Sequence, residues 1–154
     1  MADPVTFNLH GIDDVLARLQ RLPMRMQKRS VRRAARKAMS IVRTDARANA
    51  KRIDDKESAE KIWKNITLRE SGKAGKKVGG IVMKVGVKGG AAVNQHSADV
   101  SGLSGGDTRH WRFIELGSEN NSATPFMRPA LANNIGVVTS TFIDVLKKEI
   151  DDAL

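Results

Sequence analysis

A chain of 154 residues with 27 Lys and Arg, 17 Asp and Glu and a formal net charge of +10 has the length of one domain, and 40% apolar residues with 4% aromatics allow a real but modest core. The absence of cysteine excludes a disulfide framework and thiolate metal ligation. The start MADPVTFNLHG lacks the layout of a signal peptide, and no run approaches about 20 apolar residues, so a soluble protein made in the cytosol, with no membrane partner, is expected.

In chain order, residues 5–9 read as a short strand and residues 13–22 as a helix with Ile12, Val15, Leu16 and Leu19 on one side, ended by Pro23. From Met24 to Ile53 the pattern is helical and free of Gly and Pro, with Val31, Ala35, Ala38, Met39, Val42 and Ala46 recurring at steps of three and four. An alanine-rich stripe lets another element approach closely but contributes less burial per residue than leucine. Residues 25–52 carry eleven Lys and Arg against the single acid Asp45, so this segment accounts for the whole charge excess. Arg25, Arg29, Arg32, Arg36, Arg43 and Arg47 fall within roughly 100° of helical arc, opposite the Val31, Ala35 and Val42 stripe. Arginine suits bidentate contact with phosphate or carboxylate. Without interleaved aromatics, this face is suited to phosphates and not to stacked bases. Three readings stand open: the DNA backbone, acidic surfaces of protein partners, and solvated charge.

Residues 57–65 read as a short helix carrying Ile62 and Trp63, residues 66–69 as a strand, and residues 71–77 as a basic turn. Residues 78–88 alternate Ile81, Met83, Val85 and Val87 with Val82, Lys84 and Gly86, as a strand with one buried face does, and the hairpin of these two strands is the expected sheet core. Residues 89–108, rich in Gly, Ser and Ala with Asn94, Gln95, Asp99 and Asp107, are expected to be a flexible loop. Surface disorder and a reach toward a neighbouring subunit are both open for it.

Trp111, Phe113 and Glu115 alternate with Arg112, Ile114 and Leu116 in a run that ends at Gly117, which predicts a strand. A polar loop follows at residues 118–124. Pro125 and Pro129 frame Phe126, Met127 and Arg128, and the cost of proline inside a helix places the next helix start at Pro129. Residues 125–128 are then extended and display Phe126 and Met127 to a groove, in this chain's own core or on a neighbour. Residues 129–154 read as a final helix with Leu131, Ile135, Val138, Phe142, Leu146 and Ile150 in a stripe, locally weakened at Gly136. Its acids Asp144, Glu149, Asp151 and Asp152 are open to basic partners or to solvent. The whole is an α+β chain, one domain over residues 1–154, with a long basic N-terminal helix and a C-terminal helix packed on a small antiparallel sheet.

Signals for chemistry are thin. His96, Asp99, Asp107 and His110 lack the fixed short spacings of metal sites. Lys73, Lys76 and Lys77 flank glycines without the Gly-Lys-Ser/Thr ending of a phosphate loop. Glu115 has no second acid or nucleophile beside it, and pairing with a cation such as Arg128, or with a neighbouring subunit, is its expected role. No catalytic residue, metal or cofactor is expected.

Three stretches carry a family resemblance: Phe7-Asn8-Leu9-His10-Gly11-Ile12-Asp13 with Val15, Leu16 and Leu19; residues 111–117, WRFIELG; and residues 125–131, PFMRPAL. In this order and spacing they resemble the neck or tail-completion proteins of long-tailed bacteriophages. The chain departs from that pattern where Asp54-Asp55-Lys56-Glu57-Ser58 replaces a Thr-Gly-x-Leu element, and in its glycine-rich middle. The resemblance implies a structural virion protein, assembled in the host cytoplasm. It would form a homo-oligomeric ring, a hexamer by analogy, between head connector and tail tube, in contact with connector and tail-terminator proteins and with the phage DNA backbone in the channel. Such a ring needs heterologous contacts, for which Trp111, Phe113, Glu115, Phe126, Met127, Arg128 and Pro129 are the candidates. A sequence-nonspecific nucleic-acid-binding protein, nucleoid- or ribosome-associated, is the alternative that the basic helix alone supports.

Overall fold

The computed structural model describes residues 11–90 and 99–154. The strand expected at residues 5–9, and Asn94, Gln95 and His96, lie outside the described residues.

Helix α1 (Ile12–Gln20) follows Gly11, whose φ of 82° favours glycine, and it carries Asp13 and Asp14 in the first turn, where the helix dipole favours acids. Pro23 separates it from α2 (Met24–Ile53), a 30-residue helix that organises the rest of the molecule. Its buried residues are Ser30, Ala34, Ala38, Val42, Ala46 and Ala50, one every four positions. A four-residue step overshoots a 3.6-residue turn by about 40°, so five such steps carry the buried line about 200° around the helix. The line therefore winds, and α2 turns one side inward near Ser30 and nearly the opposite side near Ala50. The expected stripe of Val31, Ala35 and Met39 runs along its margin and is half-buried.

Because the buried line winds, α2 serves two cores. Toward its start, Val15, Leu19 and Leu22 meet Ala34 of α2 and Leu146 and Ile150 of the last helix, α7 (Ile135–Asp151). Toward its end, Val42, Ala46 and Ala50 meet Ile62, Ile66, Val87, Phe126 and Ala130. The most extensive helix pair is α2 with α7, and the alanines on α2 allow that close approach.

After α2 the chain runs through a series of bends until α3 (Ile62–Asn65), shorter than the helix expected over residues 57–65. The reason is local: the Asp54 carboxylate accepts the amides of Ile62 and Trp63 at 3.1 and 3.2 Å, which fixes the helix start there. Strand β1 (Ile66–Glu70) pairs antiparallel with β2 (Met83–Val87), Ile66 opposite Val87 and Glu70 opposite Met83. The sheet is as expected, but the connection is not a basic turn. Helix α4 (Gly72–Val78) fills it, started by Ser71, whose hydroxyl accepts the Ala74 amide, and ended by Gly79 at φ 68°. Val78 thus belongs to a helix, and the second strand begins at Met83.

The described part of the expected flexible loop, residues 99–108, is pinned at its end. Buried Asn65 accepts the Gly105 amide at 2.9 Å and donates to the Gly106 carbonyl at 2.9 Å and to buried Thr108 Oγ1 at 2.7 Å. The Lys61 amide donates to the Gly105 carbonyl at 2.8 Å. One asparagine thereby satisfies a polar segment that has little apolar surface of its own.

Candidate functional site

Residues 111–116 form a helix, α5 (Trp111–Leu116), and not the strand expected from their alternation. Trp111, Ile114 and Glu115 turn inward while Phe113 and Leu116 are exposed, a spacing of three and four, not two. Gly117, at φ 82°, stops the helix, and a Cβ there would meet the Ala123 amide nitrogen at 3.0 Å and the Asn121 carbonyl at 3.2 Å. The loop that follows folds back, closed by the Thr124 amide donating to the Ile114 carbonyl at 2.7 Å.

That return brings the proline-framed segment onto Glu115. One carboxylate oxygen, Oε2, accepts the amides of Phe126 and Met127 at 2.7 and 2.9 Å, and Oε1 accepts the amide of Arg128 at 3.0 Å and its Nε at 3.2 Å. The Arg128 Nη2 donates back to the Glu115 carbonyl at 2.7 Å. Helix α6 (Met127–Ala132) therefore begins two residues before Pro129. The four amide positions at a helix start have no intrahelical partner. Here Glu115 takes three, and the fourth is Pro129, which has no N–H. Proline is tolerated inside the first turn for that reason, so residues 126–128 are not extended. Burial raises the Glu115 pKa, but the Met127, Phe126 and Arg128 amides and the Arg128 guanidinium outweigh it, and the carboxyl sits below its ordinary value. The pairing with Arg128 is the one expected.

Of the residues proposed to face a partner, Phe126 is 0% exposed and Glu115 4%, so both belong to this chain's own interior. Trp111 is half-buried and its indole donates to the Gly90 carbonyl at 2.9 Å. Met127 and Pro129 are half-buried, and Arg128 is exposed. Phe113 is 48% exposed beneath the Arg112 guanidinium, 4.6 Å from its ring centre, and Leu116 is 66% exposed. Phe113 and Ile114 border a shallow groove with Ile53, Asn121, Ser122 and Thr124. A second, more apolar groove lies among Met39, Met83, Val85, Met127 and Leu131. Leu131, expected inside the last helix, is 48% exposed on α6. The break between α6 and α7 falls at Asn133 and Asn134, not Gly136, and Asn134 Nδ2 donates to Asp45 and to the Ala130 carbonyl, each at 2.8 Å.

The six arginines of α2 do not form one free face, because the buried line swings toward them along the helix. Arg25, Arg29 and Arg36 are exposed. Arg32 is exposed but clamps Glu70, with Nε at 2.6 Å from one oxygen and Nη2 at 3.1 Å from the other, and this hydrogen bonding holds the Glu70 pKa below its ordinary value. Arg43 is half-buried beside Leu68. Arg47 is half-buried and donates from Nε and Nη2 to the Ile66 carbonyl at 2.9 and 2.7 Å, a structural tie between α2 and the sheet. Three of the acids near the C-terminus serve inside the chain: Glu149 pairs with Arg33 at 3.0 Å, Asp151 with Arg18, and Asp152 with Lys148 at 3.0 Å. The lysines of α4 escaped the sequence reading as part of any surface, since nothing in the local pattern tells that Lys76 lies across a depression from Lys28 and Arg32.

Asp107 pairs with Arg109, the Ser101 amide donates to Asp99, and His110 Nδ1 stands 3.7 Å from Glu60. Among the described residues no group of three or more His, Asp or Glu is placed to hold a metal ion. Among them, too, no helix is long and apolar enough to cross a membrane.

Against known proteins, the sequence model of one family matches residues 13–117, more than half of the chain, and its description is "Bacteriophage HK97-gp10, putative tail-component". No curated protein and no solved structure matches.

Proposed function

The chain belongs to the HK97-gp10-like family of phage tail components, and from that premise we propose that it is a neck protein of a long-tailed phage, one copy in a closed ring between head connector and tail tube. Its task is to complete the tail end so that it joins a filled head. The ring is homo-oligomeric, a hexamer by analogy with tail-side components, and its neighbours are the connector and tail-terminator proteins. The role is structural, with no catalytic step and no cofactor.

The family match carries this reading. Closed rings use two different patches on each subunit, and two exposed apolar features are available for them: Phe113 with Leu116 on α5, and the groove of Met39, Met83, Met127 and Leu131. These replace Phe126 and Glu115, which the chain uses for itself.

The test is electron microscopy of phage lysates in which the gene is inactivated, beside the same lysates complemented with the intact gene. Filled heads accompanied by separate tails establish the joining role. Intact infectious particles without the protein remove it. The second reading, a sequence-nonspecific nucleic-acid-binding protein of the nucleoid or ribosome, is favoured by the exposed arginines of α2. It separates by salt: phosphate contact in a neck protein is lost by about 0.3 M salt, whereas a dedicated binder retains affinity for a preferred site there.

A further inference from the structure

We infer that the first half of α2 and helix α4 together form one surface for the phosphate backbone of duplex DNA, in which α4 supplies a second row of cations. Six groups carry it: Lys28, Arg29 and Arg36 on α2, and Lys73, Lys76 and Lys77 on α4, all exposed. Among the described residues none of the six has a carboxylate within ion-pair distance. Arg29 lines a depression that also contains Glu149 and Asp152, and these pair with Arg33 and Lys148.

The two rows are adjacent in space although about forty positions apart in sequence. Lys28 and Arg32 line one side of a depression whose other side is Lys76 with Gly72, Gly75, Gly79 and Gly80. The one acid in that lining, Glu70, is occupied by both arms of Arg32, so it does not oppose an incoming anion. Further along the helix a separate depression is lined by Arg33, Arg36, Lys37 and Arg43, and it contains no acid.

Charge complementarity selects the occupant. An interface with a folded acidic protein is built around a desolvated centre with exposed aromatic or other large apolar anchors. Neither depression has an aromatic residue in its lining, and the large apolar side chains there, Leu19, Val31 and Ile81 in one and Leu68 in the other, are buried or half-buried within the chain. A row of cations from Lys28 to Arg36, about 12 Å or two helical turns, with a second row beside it, instead matches a strand of regularly spaced phosphates. Nothing in the lining reads base edges, so the contact is blind to sequence. The inference deepens the neck reading, on which it rests only for where DNA is met. Binding is measured on the purified chain, so its failure is separable from failure of the joining role.

The experiment is fluorescence anisotropy of a 30-base-pair duplex of arbitrary sequence, titrated with the full chain at several salt concentrations. The variant Lys73→Ala/Lys76→Ala/Lys77→Ala alters only exposed side chains, and it is compared with Lys56→Ala/Lys88→Ala/Lys147→Ala, which removes the same charge elsewhere. A shallower plot of log affinity against log salt, by about 2 to 3 units for the α4 variant and less than about 1 for the other, is the expected result. Arg29→Ala/Arg36→Ala is expected to remove about 2 units independently. Equal losses in the two lysine variants would mean that net charge alone is at work and overturn the inference. So would no binding at about 50 mM salt, or displacement of DNA by polyglutamate at matched charge concentration, which would assign the surface to acidic protein.

Discussion

Glu115 and Arg128 hold each other twice: the Glu115 carboxylate accepts Arg128 Nε at 3.2 Å, and Arg128 Nη2 donates to the Glu115 carbonyl at 2.7 Å. The same carboxylate takes three amides at the start of α6. Glu115→Ala strips both carboxylate oxygens from a buried helix end, leaving only the backbone carbonyl for Arg128, and is expected to cost about 2 to 3 kcal/mol. Glu115→Gln keeps one acceptor oxygen and is expected to cost about 1 kcal/mol. Urea unfolding followed by circular dichroism decides it. Equal stability of the alanine variant and the native chain would show that α6 does not depend on this carboxylate.

The same contacts give a pH dependence of known sign. The folded-state pKa of Glu115 lies below its ordinary value of 4.5. Its contribution is therefore complete above that ordinary value and is lost as pH falls through the folded one. The stability gap between the native chain and Glu115→Gln is expected to be widest near about pH 6 and to close toward about pH 3. Comparing the two proteins cancels the similar effect of Glu70 under Arg32, which both retain. A gap that stays constant over this range contradicts the assignment.

Arg47 and Arg36 fall on the same arc of α2 by sequence, but only Arg47 reaches the Ile66 carbonyl. Arg47→Ala is expected to lower stability by about 1.5 to 3 kcal/mol, because it leaves a half-buried carbonyl without its charged donor. Arg36→Ala is expected to stay within about 0.5 kcal/mol. Thermal unfolding of the two variants side by side tests whether the arginines divide into a structural and a solvent-facing set.

Gly105 is fixed by contact, not by dihedral freedom. A Cβ there would overlap the Lys61 carbonyl oxygen and approach the Asn65 side chain at 2.9 Å, both of which are held by hydrogen bonds. Gly105→Ala is expected to cost about 3 kcal/mol or more, whereas Gly102→Ala, with nothing within 4 Å, is expected to stay within about 0.5 kcal/mol. Similar melting temperatures for the two variants would mean that the docking of residues 99–108 on Asn65 contributes little.

What the sequence conveyed depended on segment length. Thirty residues without Gly or Pro announced α2, and the alternation ending in Val85 and Val87 announced β2. Six residues from Trp111 to Leu116 fit a period of two and a period of 3.6 alike, and only the packing of Trp111 and Ile114 on the core decides for the helix. The start of α6 was hidden for another reason. Its first turn is satisfied by Glu115, eleven residues earlier than Phe126, a relation that no local rule supplies. The resemblance was read from WRFIELG and PFMRPAL together, and in this chain the Glu115 carboxylate joins them; the match of the family model ends at residue 117, before the second of the two. The division of the α2 arginines was legible in principle, since a four-residue stripe of alanine drifts around a helix and must meet some of them.

Two phenylalanines now separate fold from assembly. Phe126 is wholly buried among Val42, Ala46, Ala50, Ile62 and Ile66, and Phe126→Ala is expected to cost about 3 to 5 kcal/mol, close to the whole stability of a small domain. Phe113 is 48% exposed, with the Arg112 guanidinium 4.6 Å from its ring centre, so Phe113→Ser is expected to cost about 1 kcal/mol. If α5 presents a ring contact, Phe113→Ser with Leu116→Ser yields a folded chain that fails to complement a phage lacking the native gene, and filled heads and free tails accumulate. Phe126→Ala fails for a different reason, visible as loss of the soluble folded protein before any particle is made. Full complementation by the folded double-serine variant would take α5 out of the ring interface and leave the groove of Met39, Met83, Met127 and Leu131 as the patch to alter next.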